Sequence, residues 1–587
     1  MRMAEPDASA FFLAAGLPAA WAKQSAWRCL DTAFGNGQQF LRVWNAWRQD
    51  HNHPRILHYV GLCTEAPQLD DLHQAATSQP DLSGLVELLV NQCQTLGPGF
   101  HRLSLEGGNL LLTLCIGELS KLLRQQRFQA DTLLLDPDPA QDTTDGRWDL
   151  WRVKALARLA RRGSGLALRS HTGGLLRPIL QQCGFVLPAP LAAERAEVIR
   201  VEFQPAWELK NSRVDAVVPA VPVTRCVVVG AGLAGASVAA ALARRGWQVL
   251  VLDKAATPAQ GASGLPAGLV VPHVSVDDCS LSRLSRSGVR MVLQQAQALL
   301  RSGQDWDNTG VLQCFPGSEG DAPESPPLWH TQAGWMKPAV LVQAWLAQPG
   351  VRFQGDSAVG GLKRQDGLWQ VLGDGGQVLA VAERVVLANA HGVLPLLAGD
   401  SKAVNSSNPV TDWPVLRTVH GQVTWALHAD SPPAALAALP AFPVNGAGSL
   451  LPHVPLKEGM AWLAGATYQP DDEPEPGAQS HHAANLTRMA RLLPDLAAPL
   501  ATMLATSELQ AWRGSRCVSA DRLPLLGPLT GGADQGLWLC AAMGSRGLSL
   551  AVLCAELLAA RWGAEPLPVE AALARCLDTG RGRSNAP

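Results

Sequence analysis

The sequence predicts an α/β protein built in two parts, and three observations carry that prediction. The chain has 587 residues, more than one core holds, because cores stop growing beyond about 250–300 residues. Over the first two hundred residues, apolar runs of strand length alternate with stretches of helical period, the pattern of a mainly parallel sheet. A second β-α-β pattern restarts abruptly at Cys226 and runs almost to the end.

In the first part, Trp27–Asp31 is a short apolar run that ends in the loop Ala33-Phe34-Gly35-Asn36-Gly37. Phe40, Val43, Trp44 and Trp47 then recur at i, i+3, i+4 and i+7, one face of a helix. Arg55–Gly61, Leu110–Ile116 and Thr132–Asp136 read as further strands, and Leu150–Ala160 as a helix ended by Gly163. Periodicity lapses among Pro205, Pro219 and Pro222, which sets a linker at 205–224 between domains at 1–204 and 225–580. The tracts Pro316–Pro327 and Gln469–Gly477 read as exposed insertions.

Composition narrows the class. With 47% hydrophobic and 17% charged residues, a disordered or collagen-like chain is excluded. A net charge of −2 removes the global basic signature of many nucleic-acid binders and leaves room only for a local basic face. Two candidates are Arg152, Lys154, Arg158, Arg161 and Arg162 on one helix and its end, and Arg283, Arg286 and Arg290 at i, i+3 and i+7. Twelve Cys without a C-x-x-C pair suit reduced thiols in a cytosolic protein. Ala10–Ala22 mimics the apolar core of a signal peptide, but Glu5 and Asp7 outweigh Arg2 ahead of it. The protein is therefore expected to be soluble and cytoplasmic, without membrane or metal. The scattered histidines, including His51, His53, His481 and His482, are expected at the surface.

The strongest motif spans 226–254. Cys226–Val229 is a buried strand, Gly230, Gly232 and Gly235 form G-x-G-x-x-G, and Ala236–Arg245 is a small-residue helix stopped by Gly246. Val249–Leu252 is the next strand, closed by Asp253 and Lys254. Gly230 permits the tight turn, Gly232 lets the backbone approach a pyrophosphate, and Gly235 lets helix and strand pack closely. The helix start offers free N–H groups to that pyrophosphate, and Asp253 is placed to accept from an adenosine ribose. The same glycines, with Arg244-Arg245 after the helix, explain why Cys226–Ala243 is apolar enough to mimic a membrane span.

Two further segments point to FAD. Gly261-Ala262-Ser263-Gly264 follows soon after Asp253 and resembles the loop with which amine-oxidising flavoproteins hold their flavin. Gly544-Ser545-Arg546-Gly547-Leu548 opens the helix-like run Ser549–Ala560, which sets a helix start beside an electron-rich ring. The second half thus resembles the FAD-dependent D-amino-acid-oxidase superfamily. With the first half attached, the segments FGNGQQFLRVWNAWR, GASGLPAG, AGWMKPAVL, VVLANAHG, GATY, NLTRMARLLP, ADRLPLLGPL and AMGSRGL resemble the bifunctional bacterial enzymes that build 5-methylaminomethyl-2-thiouridine at the tRNA wobble position.

The resemblance implies a Rossmann-like methyltransferase-type domain followed by an FAD-binding Rossmann domain with a mixed-sheet substrate domain. It also implies two steps. FAD-dependent oxidation removes the carboxymethyl group of 5-carboxymethylaminomethyluridine, and S-adenosylmethionine then methylates the freed amine. Arg516 stands where the superfamily carries its carboxylate-binding Arg, Arg546 lies in the flavin-facing turn, and Tyr468 sits at an expected strand end near the pocket. Arg suits a carboxylate because its planar fork pairs bidentately.

For S-adenosylmethionine the resemblance assigns Asp31, Gly35 and Gly37 to the loop after the first strand, Glu65 to the ribose, and Gly117-Glu118 to the adenine. Asp136 is carried over from the reaction centre, where the family's Leu-Asp-Gly-Phe-Ala-Pro stands as Leu135-Asp136-Pro137-Asp138-Pro139 and its Asn-Pro-x-Met is missing. Two readings of this half stand, a methyltransferase or a degenerate domain kept for tRNA docking. For the whole chain, two rivals stand beside tRNA modification: an oxidase of free glycine- or sarcosine-type amino acids, and a non-catalytic tRNA-binding flavoprotein.

Overall fold

The computed structural model describes residues 8–77, 80–135, 148–188, 197–206, 220–315, 325–398, 415–474, 476–529 and 536–581. Packing divides the chain into two compact units, Met1–Pro222 with Ala559–Ala574, and Val223–Leu558 with Arg575–Pro587. Most of the expected linker, 207–219, lies outside the described residues.

The first unit is built on an eight-stranded sheet in the order Gly99–Leu105, Leu110–Ile116, Ile56–Cys63, Ala26–Asp31, Ala130–Leu135, Ala160–Arg169, Val198–Phe203, Phe185–Val186. The strands from Leu110–Ile116 to Ala160–Arg169 run parallel, and the rest pair antiparallel. The parallel strands Ile56–Cys63, Leu110–Ile116 and Ala130–Leu135 are buried along almost their whole length, as strands covered on both faces are. From Ala26–Asp31 the chain winds first toward Ile56–Cys63 and later to the other side, at Ala130–Leu135. That reversal opens a crevice at the carboxyl ends of these strands, where open α/β sheets bind ligands.

The signal-like run is core: Phe11, Leu17 and Trp21 are buried in this unit. The helix Leu150–Leu159 stops at Leu159, and Ala160 already opens the next strand. Gly163 therefore lies within a strand, and Arg161 and Arg162 are strand residues rather than a helix end. The pull comes from Leu166 and Leu168, which pair alongside Leu133 and Leu135. The return of Ala559–Ala574 to this unit was not anticipated from periodicity. Arg28 donates to the carbonyls of Gly563 and Ala564 at 2.8 and 3.0 Å, and buried Arg102 to that of Pro566 at 2.6 Å.

The second unit has a six-stranded sheet, Val351–Gln354, Gln248–Leu252, Arg225–Val229, Arg384–Leu387, Leu537–Ala541, Leu525–Pro528, parallel except for the last. Its helix Leu233–Arg244 starts three residues before the expected Ala236, and Leu233 to Ala243 are all buried. A mixed sheet follows, in which Leu416–Leu427 pairs antiparallel with Gln510–Ser519 over ten residues. Two tracts read as insertions contribute to its edges. Ser325–His330 is an edge strand, and Gln469–Pro470 pairs with Val419 and His420. No helix of the described residues is long and apolar enough to cross a membrane.

Candidate functional sites

The G-x-G-x-x-G crossover is built as its spacing demands. Gly230 has φ +106, and a Cβ there would lie 2.7 Å from the Ala388 carbonyl oxygen at the end of the neighbouring parallel strand. A Cβ at Gly235 would strike the Gly230 carbonyl, so helix and strand touch backbone to backbone. A Cβ at Gly232, the residue that caps the helix, would lie 3.0 Å from Ser263 Oγ.

Asp253 closes the turn on itself. Its Oδ2 accepts from Ala231 N at 2.7 Å and its Oδ1 from Ala255 N at 2.9 Å. A carboxylate has lone pairs left for a ribose hydroxyl, so the bonds pre-set the acid rather than consume it. Lys254 beside it is exposed.

Segments far apart in sequence meet at this helix start. Ser263 Oγ accepts from Leu233 N at 3.0 Å. A Cβ on Gly547 would lie 3.1 Å from Leu233, and one on Gly268 would lie 3.0 Å from Leu548. The turn at Gly544, with φ +55, donates its N–H to the Cys517 carbonyl at 2.9 Å, beside Arg516. Gly264 lies near the indole nitrogen of Trp512, which stands on the same strand as Arg516. The crossover, the Gly261–Gly264 loop, the Gly544–Leu548 turn and the Arg516 strand thus converge.

Register decides which face of the paired strands looks into this site. Val419 stands opposite Arg516, Gly421 opposite Gly514 and Val423 opposite Trp512, all on one face because side chains alternate along a strand. The Arg516 guanidinium donates from Nη1 to the Thr467 carbonyl at 3.3 Å. Burial pulls its pKa below the usual value and nearby Tyr468 pushes back; Arg remains a cation. Tyr468 itself is exposed, between strands Met460–Gly465 and Gln469–Pro470.

Two clusters escaped the sequence reading. His273 lies beside Arg546, its Nδ1 2.9 Å from Ser282 Oγ and its backbone N–H on Ser285 Oγ at 2.8 Å. Burial and then the Arg546 charge lower its pKa, while burial and Arg522 lower that of Arg546. The only signal was a polar His-Val-Ser run after an apolar strand. On the opposite face of the Arg516 strand, a cleft of about 290 Å³ is lined by His420, Gln422, Gln469, His481, Arg513 and Ser515. There Ser515 Oγ is 2.9 Å from His420 Nδ1, and His420 Nε2 is 2.7 Å from Asp471 Oδ1. No sequence motif pairs these residues; strand register does. His481 and His482, expected at the surface, are buried, because helix Ala478–Leu492 lays that face on strand Leu416–Leu427.

In the first unit, Asp31 is buried and fully engaged. Its Oδ2 accepts from Tyr59 OH at 2.6 Å and its Oδ1 from Ala33 N at 3.0 Å. Gly35 and Gly37 take φ +53 and +74, and Gly37 caps helix Gln38–Gln49. Glu65 is exposed beyond strand Ile56–Cys63. Gly117 has φ +146, and Glu118 caps the next helix by accepting from Ser120 N and Lys121 N at 2.7 and 3.0 Å. Asp136 lies outside the described residues.

Comparison with known proteins bears on both units. Residues 225–326 and 319–561 match the family model described as FAD dependent oxidoreductase. Over nearly its whole length the chain is 50% identical to the tRNA 5-methylaminomethyl-2-thiouridine biosynthesis bifunctional protein of Albidiferax ferrireducens, covering 97% of this chain and 95% of that one. The chain belongs to this bifunctional family. Proteins of the same name from Polaromonas naphthalenivorans and Polaromonas sp. strain JS666 are 45% and 46% identical, covering 95% and 97% of this chain and 91% and 92% of theirs.

The second unit is therefore an FAD-dependent oxidoreductase domain of the bifunctional family, and its residues fit the cofactor. The glycines keep backbone atoms bare around the helix start, and Asn389 Oδ1, in the loop against Gly230, is buried with no hydrogen-bond partner among the described residues. A buried, unpaired acceptor at that place suits a hydroxyl or amino donor of a bound nucleotide. All twelve Cys are free thiols.

Proposed function

We propose that this chain performs two consecutive steps on the wobble uridine of tRNA. The second unit removes the carboxymethyl group of 5-carboxymethylaminomethyl-(2-thio)uridine, and the first unit methylates the resulting amine with S-adenosylmethionine. One observation carries the reading. The full-length relation to the bifunctional family coincides with a site in which a cationic Arg516 stands on the strand that also meets the flavin loop and the Gly544 turn.

When bound, FAD supplies a two-electron acceptor for the carbon–nitrogen bond. The side chains supply binding and orientation. Arg516, half-buried and fixed by the Thr467 carbonyl, grips the substrate carboxylate, and partial desolvation strengthens that pairing. Trp512 covers Gly514 and reaches toward Gly264, closing one side with apolar surface that excludes water. The substrate amine enters neutral, so no strong protein base is required. Oxidation of the N–CH2 bond leaves an imine, which water hydrolyses to the free amine and a two-carbon oxoacid.

In the first unit, the reversal of winding beside the Asp31–Gly37 loop is where S-adenosylmethionine belongs. Asp31 holds that loop through Ala33 N, Gly35 and Gly37 let it turn, and exposed Glu65 is assigned to the ribose. Asp136 is assigned to the amine that accepts the methyl group.

The test is mass spectrometry of wobble uridines from cells lacking this chain. Accumulation of the carboxymethylaminomethyl form is expected, and returning only the second-step defect leaves the aminomethyl form. Unchanged uridines would overturn the proposal.

A further inference from the structure

We propose that the RNA substrate lies on the first unit where helices Leu119–Gln125 and Leu150–Leu159 begin, with Trp151 stacking on an unpaired base and Lys121 and Lys154 meeting phosphates beside it. This rests on the tRNA reading above and adds the surface that reads the RNA.

Charge is the first observation. Around the two helix starts, residues 118–121 and 149–154 carry Lys121, Arg152 and Lys154 against Glu118 and Asp149, and both acids are engaged as helix caps. The two helices are tied together: Arg152 Nε donates to Ser120 Oγ at 3.0 Å, and Arg158 donates to the Leu123 carbonyl at 2.8 Å. Arg161 is held by Asp131 at 3.0 Å. Arg152 ties the two helix starts together, whereas Arg158 and Arg161 hold the other end of the helix pair. Lys121 and Lys154, both exposed, project at the helix starts.

The aromatic is the second observation. Trp151 is 74% exposed, whereas Trp21, Trp27, Trp44, Trp47 and Trp148 of the same unit are buried. Lys154 Nζ sits over one face of the ring, 4.9 Å from its centroid, and the rest of the indole is left open. An exposed indole with a cation beside it suits single-stranded nucleic acid, where bases stack on aromatic faces and phosphates meet basic groups.

Topology is the third. Each helix follows a parallel strand, Leu110–Ile116 or Ala130–Leu135, so its first turn lies at the carboxyl edge of the sheet. Trp151 and Lys121 stand in those first turns. The same edge carries the Asp31–Gly37 loop. A base stacked at Trp151 would therefore bring its neighbours in the RNA to the edge where methyl transfer is assigned.

The experiment is a tRNA-binding titration of the full-length flavoprotein, wild type against Trp151→Ala, Trp151→Phe and Lys121→Glu/Lys154→Glu, at several salt concentrations. All variants are surface changes, and retained flavin with unchanged melting establishes that each is folded. Trp151→Ala is expected to raise Kd about 10-fold, and Trp151→Phe to stay within about 3-fold of wild type, as stacking on an aromatic face predicts. The double reversal is expected to flatten the slope of log Kd against log salt by roughly 1.4–1.8, the loss of two phosphate contacts. If wild type binds and the variants match it in Kd and slope, the surface is wrong while the function stands. Equal losses for Trp151→Ala and Trp151→Phe would remove the stacking role. If wild type binds no tRNA, function and surface fall together.

Discussion

The Arg516 guanidinium lies against Gly421 of the neighbouring strand. A Cβ at 421 would come 2.6 Å from Arg516 Nη2 and 2.6 Å from the Thr467 carbonyl oxygen that accepts the guanidinium's N–H. A missing side chain on one strand thus decides where the cation of the next one points. Gly421→Ala should keep bound flavin and lose up to about 10²-fold in kcat/KM for the carboxymethylated substrate, the cost of misplacing a positioning group by about 1 Å. Arg516→Ala should likewise stay yellow and lose roughly 10²-fold in kcat/KM, the penalty for removing one partner of a desolvated charge pair. Steady-state kinetics on modified tRNA check both; wild-type kinetics in Arg516→Ala would remove it from the site.

The glycines of the crossover should rank by what their missing Cβ would meet. At Gly235 it would meet the Gly230 carbonyl, which is backbone and cannot move aside. At Gly232 it would meet the Ser263 hydroxyl at 3.0 Å, which can rotate away. Gly235→Ala is therefore expected to cost about 1–3 kcal/mol of stability and most of the flavin. Gly232→Ala is expected to fold normally with weaker flavin binding. Thermal melting and the flavin absorbance of purified protein check the order, and the reverse order would refute it.

How far the sequence led depends on whether an interaction was local. The dinucleotide crossover was readable because strand, turn, helix and acid lie within thirty consecutive residues, each with its own spacing rule. Arg516 and Arg546 were singled out through resemblance, and their neighbours were not, because Thr467, Gly421 and His273 reach them through register and packing. The basic run 152–162 was visible, but not that Arg152, Arg158 and Arg161 would be engaged by Ser120, Leu123 and Asp131. His481 and His482 looked polar enough for solvent. Helical period alone does not say that the face bearing them is the one packed on a sheet.

His482 gives the second unit a pH dependence of known sign. Burial, then the charges of Arg513 and His481, hold its pKa below the ordinary 6.5, and Thr424 Oγ1 lies 2.9 Å from its Nδ1. The folded state thus binds fewer protons than the unfolded state below pH 6.5, so its contribution is present above that pH and is lost as pH falls toward the folded pKa. Melting temperature should fall as pH drops below 6.5. His482→Gln should flatten that fall, by at most about 1.4 kcal/mol per pH unit. An equally steep fall in His482→Gln would assign the effect to other groups.

Asp31 and Glu65 were both read as S-adenosylmethionine contacts, and their surroundings separate them. Asp31 is 1% exposed, with the Tyr59 hydroxyl on one oxygen and Ala33 N–H on the other. Burial and then the Asp31 charge push the Tyr59 pKa well above its ordinary value, so the phenol remains a donor at any working pH. Asp31→Asn loses charge-assisted bonds and should cost about 1.5–3 kcal/mol of stability. Glu65 is exposed, so Glu65→Ala should leave melting unchanged and weaken S-adenosylmethionine binding about 10-fold, the worth of one hydrogen bond to a charged group. Calorimetric titration with S-adenosylmethionine beside a melting curve distinguishes the two. A wild-type chain that releases no heat would leave this half a docking domain, and lower affinity in Asp31→Asn without lower melting would move the ribose contact to Asp31.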